Sequence, residues 1–492
     1  FKLWVDRLNA SGDLCCEVHL AVGPDCSLGP NADLVVFPAE FEDLDLDEFE
    51  EPDPKTLEPT PYEAEFTTYG PEVLTPPGSG EVFGSPGIVF IDDTVYLVEN
   101  HFLNGTLRAF DVSDPVFPES LDLEGDTLVY NRPVDLAAEG HTVVVATGPT
   151  NQSKPSNLFV FDVTDAPFIK WTGAVGLTNG VNDGFIFRMT VRDGYAYAST
   201  FRKGIQIVDL TRARENLEEA TGGIPFSAGY WEMLSELNND GRQFGGDAVV
   251  MTVPVTVEGQ PARLQDLKVA DAVYDGLSQP LVVATGDAGI VLVNPQAGQV
   301  VAQSMPESPD GVFRLEFGTA LAVGRMGDRI VAVVGGLGIV NNEPLTRGSL
   351  LAVVDITDPT APTALGFTEL PESPDDVVLD GELALAAGAE RTHLVSLDEL
   401  TRPFLAGGPL EGLAGRLAMD PDSSLVYSSA RSLFGGSVPF GGVRSAVLAP
   451  GEVGACPLVT LQNRRVLLRL TADPVNETLC GHDEPVYFGL CE

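Results

Sequence analysis

One pattern recurs along most of this chain and limits its fold more than any other feature. An apolar strand follows an acidic or glycine turn, a variable loop comes next, and a further strand then runs toward an aspartate. The first of these strands recurs at 94–100 (TVYLVEN), 141–147, 195–200, 281–286, 329–335, 383–388 and 425–430. The second recurs at 107–115 (LRAFDVSDP), 158–167, 204–210, 289–295, 351–359, 393–400 and, weakly, 443–450. A β-like segment precedes each pair. Most units begin about 40–55 residues apart, the length of a four-stranded propeller blade. Asp193-Gly194, Asp275-Gly276 and Asp380-Gly381 supply hairpin turns, and 52 glycines with 37 prolines suit many short strands. The expected fold is all-β: a seven-bladed β-propeller over residues 81–450, with an insertion near 212–262.

The strands that end at aspartate share more than hydrophobicity. LAVVDITDPTAP (351–362), LFVFDVTDAP (158–167) and LRAFDVSDP (107–115) follow one formula, and GIQIVDL (204–210) keeps its core. The formula resembles that of the LVIVD-repeat family of bacterial and archaeal surface propellers. Three units depart from it: Asn294 replaces the Asp, Leu397 breaks the run, and the last unit lacks the Asp. The resemblance implies a propeller at a cell surface and is nearly silent on activity, because propellers host many functions. The aspartates also have a physical role of their own. An Asp side chain bonds nearby backbone N–H groups and sets a turn, and Pro blocks further pairing. Asp111, Asp162, Asp209 and Asp355 are therefore expected to fix blade turns.

The two ends differ from the repeats. Residues 1–36 hold Cys15, Cys16 and Cys26, and residues 451–492 hold Cys456, Cys480 and Cys491. The count is even and no metal-ligand spacing appears, which reads as disulfides formed in an oxidising compartment. FKLWVDRL, CCEVHLAV and RRVLLRLTAD alternate apolar and polar residues, as half-buried strands do. The termini are thus expected to build a small disulfide-linked β element that closes the ring; pairs local to each end are the alternative. Residues 37–80 are acidic and Pro-rich and read as a linker or strap. A chain that starts at Phe1 reads as a processed form or a piece of a longer protein, and sequons such as Asn104-Gly-Thr are compatible with export.

Charge narrows the partners. The net charge is -44, from 72 acidic and 28 basic residues, and only six of the latter are Lys. Such a surface repels nucleic acid and anionic membranes. No apolar run approaches the ~20 residues of a membrane helix. Excess carboxylate with little Lys suits brine or seawater, where self-repulsion is screened.

No catalytic motif stands out. The five histidines fall in separate segments, without HExxH spacing, and no nucleophile elbow, P-loop or haem-attachment motif is present. The alternating Asp43, Asp45 and Asp47 could cluster around calcium, whose ligands are oxygens; a solvated acidic strap is the other reading. In four units the first strand, which in a propeller lines the channel, carries Asp135, Arg188, Asp376 or Arg416. They form either a ring of alternating charge or, if the alignment slips by one residue, side chains on the opposite face. Phe226, Tyr230 and Trp231 in the insertion are either anchors for a partner or a cover for the propeller. The leading expectation is an extracellular or cell-surface module that binds protein or glycan, or builds a larger assembly. The alternative is an extracellular hydrolase or lyase acting on polysaccharide or lactone.

Overall fold

The structure, a computed structural model, describes residues 2–7, 15–21, 34–36, 62–67, 465–467, 487–489 and 86–450. From the last range, 101–103, 114–118, 122, 126–127, 149–155, 179–184, 223–243, 310, 343–344, 390, 407–409, 412–413, 421–424 and 430–442 are left aside. The chain divides into two units.

Among the described residues the larger unit, Thr68–Asp422 with Val426–Arg444, holds six sheets of four or five strands, antiparallel but for the short piece Glu124–Gly125. The first is built on Gly87–Ile91, Thr94–Asn100 and Asn104–Asp111. The second runs Arg132–Glu139, Thr142–Gly148, Asn157–Asp162 and Phe168–Gly176. The third runs Ile186–Arg192, Tyr195–Thr200, Gly204–Asp209 and Val249–Val253. The fourth starts at Leu264–Tyr274, the fifth at Arg314–Met326 and the sixth at Asp376–Asp380. Arg416–Asp420 follows.

Each middle strand is buried on both faces, which is why it reads as an unbroken apolar run. Val143 and Val145 enter the core between the first and second sheets, whereas Val144 and Ala146 enter the core between the second and third. Phe159 and Phe161 divide from Leu158 and Val160 in the same way. Further cores fill the gaps between the third and fourth, fourth and fifth, and fifth and sixth sheets. The innermost strands pack in a cycle: Gly87–Ile91 on Arg132–Glu139, and so on through Asp376–Asp380 to Arg416–Asp420, which packs back on Gly87–Ile91. Sheets stacked face to face around a closed ring of inner strands make this unit a β-propeller.

The repeated aspartates set turns as expected. Asp111 Oδ1 accepts from the Ser113 amide at 2.9 Å, Asp162 Oδ1 from the Thr164 amide at 3.0 Å, and Asp355 Oδ1 from the Thr357 amide at 2.9 Å. The Ser113 amide lowers the pKa of Asp111, and the Thr164 hydroxyl, donating to Asp162 Oδ1 at 2.6 Å, then the Thr164 amide lower that of Asp162. The divergent units keep the turn by other means. Asn294 Oδ1 accepts from the amides of Gln296 and Ala297, and Ser396 Oγ accepts from that of Asp398. Except after Asn294, where Pro295 has no N–H, the residue after each of these turn-setters donates its own amide to the neighbouring hairpin: Val112 to Asp93 O, Val163 to His141 O, Ile356 to Ile330 O and Leu397 to Glu382 O.

Asp209 adds a second task. It caps helix α1 (Leu210–Thr221), accepting from the amides of Thr211 at 2.8 Å and Arg212 at 3.1 Å. The insertion therefore opens on a helix that buries Leu210, Ala213 and Leu217. Its return is tied back by Arg212 and Asn216, both of which bond Asp247. Phe244 packs against the core between the first two sheets.

In the smaller unit, Lys2–Arg7, Cys15–Ala21 and Leu34–Val36 make one antiparallel sheet. Arg465–Leu467 pairs with Tyr487–Gly489. Within the stretch read as a strap, Tyr62–Thr67 is a strand, and it pairs antiparallel with Ser445–Pro450, Tyr62 opposite Pro450. The pairing of the six cysteines lies outside the described side chains.

Candidate functional site

The inner strands gather charge at one level of the ring. Before the charged position the second, third and fourth sheets each carry a β-bulge, between Pro133 and Asp135, Ile186 and Arg188, and Leu264 and Asp266. A bulge sets two residues opposite one and re-aims the next side chain. The amides this frees are taken up by hydroxyls of the adjoining strand where Arg188 N donates to Ser199 Oγ at 3.0 Å; Arg416 N does the same to Ser429 Oγ at 3.2 Å.

Bulges place Asp135 and Asp266, and regular pairing places Asp376 opposite Ala387; all three aspartates are buried. Each reaches across to the next inner strand and accepts a backbone amide there. Asp135 Oδ2 takes Met189 N at 2.7 Å, Asp266 Oδ2 takes Leu321 N at 2.8 Å, and Asp376 Oδ2 takes Leu417 N at 3.0 Å. The guanidiniums bridge wider gaps. Arg416 lies 3.4 Å from Asp135 Oδ1 and 3.3 Å from Asp376 Oδ1, and donates to Pro86 O at 3.2 Å and Asp375 O at 3.1 Å. Arg188, on the third sheet, donates to Val134 O at 3.5 Å and reaches Asp375 O beside the sixth sheet at 3.4 Å. The collar thus spans the axis of the ring.

Its electrostatics follow from burial. Removal from water raises the pKa of Asp135 and of Asp266, against the pull of nearby Arg188 and Lys268. Asp376 is pushed up to about 6, by burial first, with Asp266 adding repulsion and Lys268 opposing. Lys268 lies 4.0 Å from Asp266 Oδ1. Burial works against its charge, and the carboxylates of Asp266, Asp376 and Asp135 outweigh it, holding the ammonium above its ordinary pKa.

The structure therefore brings together all four charged inner-strand positions singled out in the sequence. It adds two that sequence reasoning missed, Asp266 and Lys268. The signal was present: Asp266-Leu267 repeats Asp135-Leu136 at the same place on its strand. The preceding insertion hid where that strand begins. Phe226, Tyr230 and Trp231, and Asp43, Asp45 and Asp47, lie outside the described residues.

Two recesses adjoin this framework. Beside the collar a cavity of about 330 Å³ is lined by Thr190, Lys268, Val323, Leu379 and Met419 among others. At the outer edge of the fifth and sixth sheets a recess of about 610 Å³ is lined by Phe367, Asp398, Glu399, Arg402 and Phe404. Phe404 is 44% exposed there.

No protein-family model matches the chain, and no curated protein matches it. Among solved structures it is similar to the WD40 β-propeller domain of Doa1, at 11% identity over 79% of this chain and 97% of that chain, with a TM-score of 0.44. It is similar to Sqt1 of Chaetomium thermophilum bound to the N-terminus of ribosomal protein L10, at 11% identity over 74% of this chain and 83% of that chain, with a TM-score of 0.42. Sqt1 of Saccharomyces cerevisiae shares 11% identity over 76% of this chain and 96% of that chain, again with a TM-score of 0.42.

Proposed function

We propose that this chain is a non-enzymatic propeller of the LVIVD-repeat type, acting outside the cell or on its surface in a saline setting, where it binds protein or glycan as part of a larger assembly. On this reading the ring has seven blades, the seventh opened by Arg416–Asp420. The observation that carries the reading is the use made of the inner-strand charges. Asp135, Asp266 and Asp376 each spend an oxygen on a backbone amide of the next strand, so the acids act as fasteners of the ring. A hydrolase or lyase needs a carboxylate facing its substrate, and all three are buried.

The outer recess offers the chemistry of recognition. Phe367 and Phe404 line it with aromatic rings, and Asp398, Glu399 and Arg402 add polar groups; sugars and peptides are both held by such mixtures. Protein and glycan arrays, probed with the purified chain and with a Phe404→Ala/Arg402→Ala variant, test this. The reading expects a ligand that the variant loses. Turnover of a polysaccharide or lactone by the purified chain would replace it with the enzymatic alternative. Detection on intact cells of the producing organism tests the location, and an experimental density map tests the blade count.

A further inference from the structure

The 330 Å³ cavity beside the collar is built differently from the collar itself. Along a strand every second residue shares a face, so Thr190, Lys268, Ala322 and Val378 form the next layer after Arg188, Asp266, Ala320 and Asp376. All four line the cavity. Three of these positions carry an uncharged side chain, and one carries an ammonium. Val323, Leu379 and Met419 extend the apolar wall.

Lys268 stands apart from the other inner-strand cations. Arg188 and Arg416 give their N–H groups to backbone carbonyls within the ring. Among the described residues the one carboxylate within 4.0 Å of the Lys268 ammonium is that of Asp266, while Asp376, Asp135 and Arg188 act on it from farther away. The Asp266 carboxylate already accepts the amides of Leu321 and Leu267, each at 2.8 Å. The distance to it is too long for a hydrogen bond. Its side chain keeps 36% of its surface accessible. The ammonium thus lines, without a hydrogen bond to Asp266, a cavity of mixed polar and apolar wall and of the size that binds small molecules. Arg192, also in the lining, is held by Asp271 at 2.8 Å.

The geometry points to a site for a small organic acid, its carboxylate on Lys268 Nζ and its apolar body against Val323, Leu379 and Met419. At ~30 Å³ per water-sized group, the cavity takes a body of roughly ten non-hydrogen atoms. A charge-assisted bond to a buried carboxylate is short and strong, and Val323, Leu379 and Met419 offer an apolar body its contact. The inference concerns a different surface from the outer recess and stands whether or not a macromolecular partner binds there.

The test uses the full chain in about 0.5 M salt, so that the global negative charge is screened. Benzoate, 3-phenylpropionate and 4-methylvalerate are offered by saturation-transfer NMR and calorimetry, each beside its neutral amide. Saturable, mutually competitive binding of at least one carboxylate is expected, with the amide at least tenfold weaker. Lys268→Met should weaken the acid at least tenfold and leave the amide unchanged. Val323→Trp, which fills the cavity and keeps the ammonium, should abolish both, with melting temperatures recorded to confirm that each variant is folded. The inference is overturned if no carboxylate binds, if acid and amide bind alike, or if folded Lys268→Met binds the acid as the parent does.

Discussion

At the scale of single residues, the fastening aspartates are costly groups in a useful place. Asp376 is buried, and its pKa lies near 6 because water cannot solvate its charge. In the unfolded chain it returns to about 3.9. Between these values the folded state holds the proton more tightly, so the stabilising contribution is complete below about pH 4 and is lost as pH rises through about 6. A shift of about two units corresponds to roughly 3 kcal/mol. Asp376→Asn keeps an acceptor for Leu417 N and removes the titration. Its stability relative to the parent is therefore expected to improve from pH 4 to pH 7, read as the difference between the two denaturation midpoints at each pH. Taking that difference cancels the much larger effect of the acidic surface. A parallel pH dependence in both proteins would show that Asp376 is not ionising in this window.

At the scale of elements, one chemical device serves two ends. Asp355 holds a turn through the Thr357 amide, and the ion pair with Arg329 at 2.8 Å accompanies it. Asp209 occupies the equivalent place but feeds a helix, because its strand is followed by LTRAREN and not by Thr-Asp-Pro. Without Pro the chain continues into α1, and the turn-setter becomes its N-cap. Asp209→Ala is expected to cost about 1 kcal/mol and to speed amide exchange over 210–221 specifically. Asp355→Ala is expected to cost a similar amount, about 1 kcal/mol for the lost hydrogen bond, with exchange quickened at the hairpin that Ile356 bonds. Denaturant melts with hydrogen-exchange mass spectrometry check both. Helix-specific exchange that stays unchanged in Asp209→Ala would mean that packing of Leu210, Ala213 and Leu217 alone sustains the helix.

At the scale of the molecule, the excess of 44 negative charges opposes the compact state. Raising the salt shortens the range of that repulsion from about 10 Å at 0.1 M to about 3 Å at 1 M. The melting temperature is expected to climb between those two concentrations of potassium chloride, and to climb most over the first few tenths molar, where screening changes fastest. Chloride is chosen because sulfate stabilises most proteins by surface exclusion. A flat or falling curve would remove the argument for a saline habitat.

The middle strands were legible in the sequence because burial on both faces demands a run such as TVVVATG, and that demand is local. The turn-setting aspartates were legible for the same reason: Asp111, Asp162 and Asp355 bond amides two residues away. The divergent units also show the limit of a motif, since Asn294 and Ser396 do the work of Asp with other side chains. Four of the collar charges could be named, but not their direction, because a bulge moves the face by one residue and leaves little trace in composition. Only the tertiary structure brought Asp135 to Met189, Asp266 to Leu321 and Arg188 to Asp375, contacts between residues 54, 55 and 187 positions apart. It alone set Lys268 in an apolar layer beside its buried carboxylates. A strand or a turn is decided by neighbours in the chain, whereas a ring closes only when distant strands meet.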